Sequence, residues 1–180
     1  MPFQFNPAPP QTGEYTEYFG QYIQLACEEP DIAVALERQI ADLRTLVESA
    51  DPGELAKPHD PYTWTITQAV GHLVDSERVF GIRAGRFASG DETALPGFDQ
   101  NVLCDGGGYE RCSMSDVFAE FEHLRRANVL MFARLNEKQW QQQGSADGKA
   151  ISVRAIAYLL VGHLRYHVEI FEKRLAKSAD

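Results

Sequence analysis

A chain of 180 residues with 44% hydrophobic content carries enough apolar material for one compact core, so a single domain over residues 1–180 is expected. Its formal charge of −9 sets up a negative field that repels phosphate backbones and anionic lipid, which argues against nucleic acid as a partner. Residues 1–13 lack the basic start and apolar run of a signal peptide, and no stretch nears the roughly 20 apolar residues of a membrane span, so a soluble, cytoplasmic protein without a membrane partner is expected.

Cys27, Cys104 and Cys112 are an odd number for a disulfide framework and do not form the paired CxxC of a structural zinc site. They read as free thiols. Four of the nine prolines, Pro2, Pro7, Pro9 and Pro10, fall in the first ten residues and predict an extended arm over 1–13, either packed or loose. After it, Tyr15, Tyr18, Phe19, Tyr22, Ile23 and Cys27 recur at helical spacing, which predicts a short amphipathic helix over 14–27, slightly weakened by Gly20.

Pro30 and Asp31 open the first of four long helices, whose stripe is Ala33, Leu36, Ile40, Leu43, Val47 and Ala50, closed by Asp51-Pro52-Gly53. A Pro-punctuated connection around His59 leads to Thr65 and Gln68, which have the spacing of a capping box. The second helix starts there, with Ile66, Val70, Leu73, Glu77, Phe80, Ala84 and Phe87 on one face, so a carboxylate stands where hydrocarbon is expected.

Residues 90–112 then run without periodicity, long for a connection in a compact domain and therefore a candidate to fold over a site, with Asp99, Gln100, Asn101 and Tyr109 as its candidate substrate contacts. Ser113 and Asp116 start the third helix, traced by Val117, Phe121, Leu124, Asn128, Met131 and Leu135 to about Asn136. A polar, turn-rich stretch follows. Ser152 caps the last helix, whose stripe is Val153, Ile156, Leu160, Leu164, His167, Phe171 and Leu175. No strand alternation longer than four residues competes, so the fold class is all-α, with the bundle spanning about residues 30–176.

His163 and His167 are four residues apart, so on a helix both rings leave one face a turn apart and can converge on one ion at about 2.0–2.1 Å. The residues between them are Leu164, Arg165 and Tyr166, without the Glu of a zinc-protease motif. Two inward imidazoles also suit ordinary packed histidines, and the motif alone does not separate the two readings. His72 lies well off the centre of its own stripe, so projection leaves its part open. His59 and His123 read as non-ligands, Asp75 and Glu169 as solvent-side carboxylates, and Arg165 and Tyr166 as pointing away from the ligand face.

The segment TWTITQAVGHLVDSERVFGIRAGRFASGDETALPGFDQ, followed after the third helix by SVRAIAYLLVGHLRYHVEIFEKRL, closely resembles the DinB-like superfamily of small metal-binding helical proteins, with the likeness running from Pro30 to Leu175. The resemblance implies a four-helix bundle of DinB-like type with a long crossover connection, beside which the 14–27 helix is an extra element. It also implies that a His of the second helix joins the two of the C-terminal HxxxH, which here are His72, His163 and His167. Members include S-transferases and isomerases that use low-molecular-weight thiols such as bacillithiol or mycothiol, and many members have no assigned reaction.

The expected cofactors are therefore one divalent ion, zinc or nickel, and a low-molecular-weight thiol, with a small-molecule substrate. Metal-dependent hydrolysis and a purely structural ion are the alternatives. Glu77 is the candidate general base or orienting carboxylate, against the alternative of a buried acid paired with an arginine such as Arg83 or Arg165. A homodimer is the assembly to look for, since the Tyr-rich 14–27 segment is a candidate cover for an apolar outer face.

Overall fold

The computed structural model describes residues 5–177. In chain order they form α1 (Glu17–Ala26), α2 (Ile32–Ser49), the single turn α3 (Pro52–Leu55), α4 (Ile66–Ala88), α5 (Gln100–Gly106), a 3₁₀ turn (Tyr109–Arg111), α6 (Met114–Phe132), α7 (Glu137–Gln141), β1 (Gln143–Ala146), β2 (Lys149–Ser152) and α8 (Val153–Ala176). None of these helices is long and apolar enough to cross a membrane.

The helix starts follow from short polar side chains that accept from otherwise unpartnered backbone N–H groups. Asp31 accepts from Val34 N, Ser113 from Asp116 N and Ser152 from Ala155 N. Thr65 and Gln68 form the reciprocal capping box. Asp51-Pro52-Gly53 does not simply close α2; the Asp51 carboxylate caps Gly53 N and Glu54 N and so starts α3. The third bundle helix stops at Phe132, one turn before the expected Asn136.

α2 and α4 each pack against both α6 and α8, so the cyclic order in the bundle is α2, α6, α4, α8. The second and fourth bundle helices are therefore neighbours. Two apolar clusters fill the bundle, one holding Leu36, Phe80, Val129 and Val161 and the other Ile40, Val74, Phe121 and Leu164. Between these levels α2, α4 and α6 bring in buried polar side chains, Gln39, Glu77, Arg125 and Asn128, and α8 brings His163.

The arm is a packed one. Phe5 stacks on Trp140 at 5.5 Å, Tyr158 donates to Pro7 O, and Asn6 bonds both Pro30 O and Ile32 N. The start of the arm, Pro2 included, lies outside the described residues. α1 covers α8 of its own chain, and the two backbones come so close that a Cβ on Gly162 would stand 1.7 Å from the Tyr22 carbonyl oxygen.

The polar stretch before α8 is a β-hairpin, where only a turn-rich linker is expected from the sequence. Asp147 and Gly148 supply the two positive φ values of a two-residue turn, 55° and 69°. Its four-residue strands are too short and polar for alternation to reveal, and their partners are remote: Tyr15 bridges Ile151, and Leu95 bridges Ala146. Leu95 N donates to Ser145 O and Asp147 N to Leu95 O, which ties the long 90–112 connection to the hairpin.

Candidate metal centre

α4 carries His72 and α8 carries His163 and His167, and the packing of these two helices brings the three rings together. Nε2 of His163 lies 3.2 Å from Nε2 of His72 and 3.2 Å from Nε2 of His167. All three ligand atoms fall within 4.8 Å of one another, and the cluster could hold a metal ion. Two nitrogens held at about 2.0–2.1 Å from one ion in tetrahedral directions stand about 3.3 Å apart, so the spacing fits.

The chemistry of the donor set fits as well. Burial pushes the His72 imidazole down to about 4 and His167 to about 3, and holds His163 well below its usual range, where His167, His72 and Arg125 also oppose a proton. Neutral rings present lone pairs. Three lone pairs aimed into one small space lack donors for all of them, and a cation supplies the shared partner.

Aromatic rings fix the cluster from the sides. Tyr22 meets the His163 ring edge-on at 5.1 Å, Trp64 lies 5.5 Å from His72, and Tyr166 meets His167 edge-on at 5.4 Å. Two clefts open at the histidines. The first, about 100 Å³, touches His72 and His163 and runs past Ser76 and Phe80 to Arg83. The second, about 350 Å³, touches His72 and His167 and is walled by Tyr62, Trp64 and Tyr166. Tyr22 and Gln100 line both. Desolvation, with Tyr166 and Tyr18 adding to it, raises the Tyr22 phenol, so it keeps its proton.

The long connection thus reaches the site through Gln100, with Gly97 and Phe98 beside it in the first cleft. The other expected contacts do not line either cleft. Asp99 caps α5 by accepting from Asn101 N and Val102 N, and Asn101 is exposed. Tyr109 is buried and donates to Asp75 at 2.8 Å. Asp75 is accordingly not a solvent-side carboxylate, because the folded-back connection covers it. Projection of α4 alone has no knowledge of that cover.

Glu77 faces α6, where Arg125 donates from Nε at 2.9 Å and lies at 2.7 Å through Nη2, and Asn128 donates to its second oxygen at 2.7 Å. Both carboxylate oxygens are engaged, and the side chain lines neither cleft. Its partner is Arg125, not Arg83 or Arg165. Arg125 also donates to Gln39, Leu36 O and Leu160 O, so one guanidinium joins α2, α4, α6 and α8 behind the histidines. Arg125 falls outside the stripe read from the sequence, yet the buried face of α6 centres close to it: Phe121 and Val129 stand four residues to either side and Phe118 and Phe132 seven, a spacing that could have signalled its burial.

The remaining candidates lie elsewhere. His59 bonds Glu54 at 3.0 Å, and exposed His123 bonds Ala119 O. Arg165 donates to Leu25 O and pairs with Glu28 and Glu169. The three cysteines are free; Cys104 is buried and its thiol donates to Gln68 O.

Among solved structures the chain is similar to one described as "YfiT from Bacillus subtilis is a probable metal-dependent hydrolase with an unusual four-helix bundle topology". The TM-score is 0.75 at 20% identity, over 94% of this chain and 93% of that one, a likeness of fold. No curated protein matches the sequence. The family model of the DinB superfamily matches residues 35–171, which takes in most or all of each of the four bundle helices and all three histidines. The chain belongs to the DinB superfamily.

Proposed function

We propose that this chain is a divalent-metal-dependent enzyme that holds one ion, zinc or nickel, through His72, His163 and His167, and transfers a low-molecular-weight thiol to a small-molecule substrate. The observation that carries the reading is the convergence of three neutral imidazole nitrogens at the meeting point of two clefts. A structural ion is closed off by a fourth protein ligand, whereas among the described residues no Cys, Asp or Glu joins the three histidines. Bound there, the ion supplies Lewis acidity, which lowers the pKa of a thiol or a water.

The chain's own residues do the rest. Burial by Tyr22 and Trp64 keeps the His rings neutral and excludes water from their flanks. Gln100 offers a donor and an acceptor where the clefts meet, and the Tyr22 hydroxyl retains a proton to donate. Glu77 acts at a distance, since its carboxylate holds the Arg125 guanidinium that in turn bonds Leu160 O, three residues before His163. Two separate clefts suit two reactants, a thiol and an electrophile. The likeness of fold to YfiT, a probable metal-dependent hydrolase, favours a second reading, in which water replaces the thiol at the same centre.

The test is metal content by plasma emission spectrometry on untagged protein, for the native chain, His72→Ala and His163→Ala. We expect near-stoichiometric metal that is lost in both variants. The loaded protein is then given glutathione or bacillithiol with an electrophilic aryl halide, and separately an activated ester. Thiol conjugation above the free-thiol rate supports the transferase, and ester hydrolysis alone would replace it with the hydrolase. A native chain that neither carries nor takes up metal overturns both.

A further inference from the structure

The first cleft continues well beyond the histidines. His72, Ser76, Phe80 and Arg83 recur turn by turn along one face of α4 and all line it. Arg83 stands eleven residues after His72, about 16 Å along the helix at about 1.5 Å per residue. The cleft is narrow, about 100 Å³, with Tyr18 and Tyr22 of α1 on its other side. Its shape is a slot with the histidines at one end and a guanidinium at the other.

Arg83 is only 5% exposed, yet among the described residues no carboxylate forms an ion pair with it. Its faces lie against the Phe80 ring at 5.2 Å and the Phe98 ring at 5.5 Å. Of its N–H donors, one goes to Pro96 O at 3.1 Å. The other deeply buried arginine of the bundle, Arg125, has a carboxylate at 2.7 Å. Beside Arg83 in the slot, Lys149 and Asp147 pair with each other. The end of the slot thus holds two cations and one anion, a local positive excess in a chain of formal charge −9. Asp147 favours the charged guanidinium from a distance but makes its ion pair with Lys149, so burial still outweighs that attraction. A buried cation without a directly bonded carboxylate carries a desolvation cost that an incoming anion offsets, and a guanidinium edge matches a planar carboxylate.

We propose that Arg83 is the recognition residue of a carboxylate subsite, and that the slot takes a narrow, extended small molecule whose carboxylate reaches Arg83 when its other end reaches the histidines. The subsite stands on Arg83 and its surroundings alone; only the assignment of the ligand's other end rests on the metal reading above.

Calorimetric titration of zinc- or nickel-loaded protein compares mercaptoundecanoate with mercaptoundecanol, which differ only in the terminal group. We expect the native chain to prefer the carboxylate by at least about tenfold, Arg83→Gln to lose that preference while still binding the alcohol, and Arg83→Lys to keep part of it. Equal binding of the two compounds by the native chain, or an unchanged preference in Arg83→Gln, overturns the subsite. Decanoate against decanol on metal-free His163→Ala asks the same question without the ion, so a persisting preference keeps the subsite even where the metal reading fails. Arg83→Met is the control for folding. Its thermal midpoint should equal or exceed that of the native chain, since the exposed Pro96 carbonyl can turn to water. A fall of about 5 °C or more would make Arg83 a structural residue and overturn the proposal.

Discussion

Glu77 and Arg125 meet at 2.7 Å in the middle of the bundle, 2% and 1% exposed, in the polar level that separates its two apolar clusters. Removing one member leaves the other charge buried without a counter-charge, which typically costs about 3–5 kcal/mol. Glu77→Leu and Arg125→Leu should each lose that much in urea unfolding. Because Arg125 also serves Gln39, Leu36 O and Leu160 O, its replacement should be the costlier of the two. The double variant should be more stable than the sum of the single losses implies, and strict additivity would show that the pair is not coupled.

Gly162 is the crossing point of α1 and α8. A methyl group there meets the Tyr22 backbone, which cannot swing aside as a side chain can. Gly162→Ala should therefore force the helices apart, at about 1–3 kcal/mol or more, and loosen the Tyr22 ring from His163. Faster proteolysis within residues 14–27 would show the displacement, while an unchanged thermal midpoint and digestion pattern would contradict the close approach.

An ion bound by three histidines from two helices stabilises only the folded chain. At a free metal concentration of about one hundred times Kd the gain is about 2.7 kcal/mol, or about 5–10 °C in thermal midpoint for a domain of this size. Zinc or nickel should produce that shift in the native chain and in His123→Ala. In His163→Ala the shift should vanish. Calorimetry scanned with and without the metal measures it directly, and an equal shift in His163→Ala would place the binding elsewhere.

Glu14 makes the chain's stability depend on acid. Burial opposes its ionisation, but hydrogen bonds from Arg154, Gln11 N and Ser152 outweigh that effect and hold its carboxyl below the usual range. A depressed carboxylate contributes stability above its unfolded-state pKa of about 4.3 and loses it as pH falls through the folded value. The native chain should thus exceed Glu14→Gln in stability at pH 7, and the two should converge as the solution is made more acidic. A gap independent of pH would assign the effect to packing.

Much of this protein is local, and what is local is readable. The apolar stripes, the Thr65–Gln68 capping box, and the Ser113 and Ser152 caps act within a few residues of chain, so the four bundle helices and their starts follow from the sequence. The pairing of His163 with His167 is of the same kind, since one helical turn brings their rings together. The Asp147-Gly148 turn was equally local, but its four-residue strands take their remaining partners from Tyr15 and Leu95, far away in the chain.

What the tertiary structure alone decided is which faces meet. Periodicity assigns each helix a buried side without saying whose side it is buried against, because that choice depends on the summed packing of all the helices. His72 meets His163 only because α4 lies beside α8, and Asp75 is covered only because the connection folds back over α4. Arg125 and Arg83 show the limit most clearly. Each stands at helical spacing from apolar residues, Arg125 from Phe121 and Val129 and Arg83 from Phe80 and Phe87, but spacing names no partner, and only the fold gives one a carboxylate and leaves the other facing an open slot.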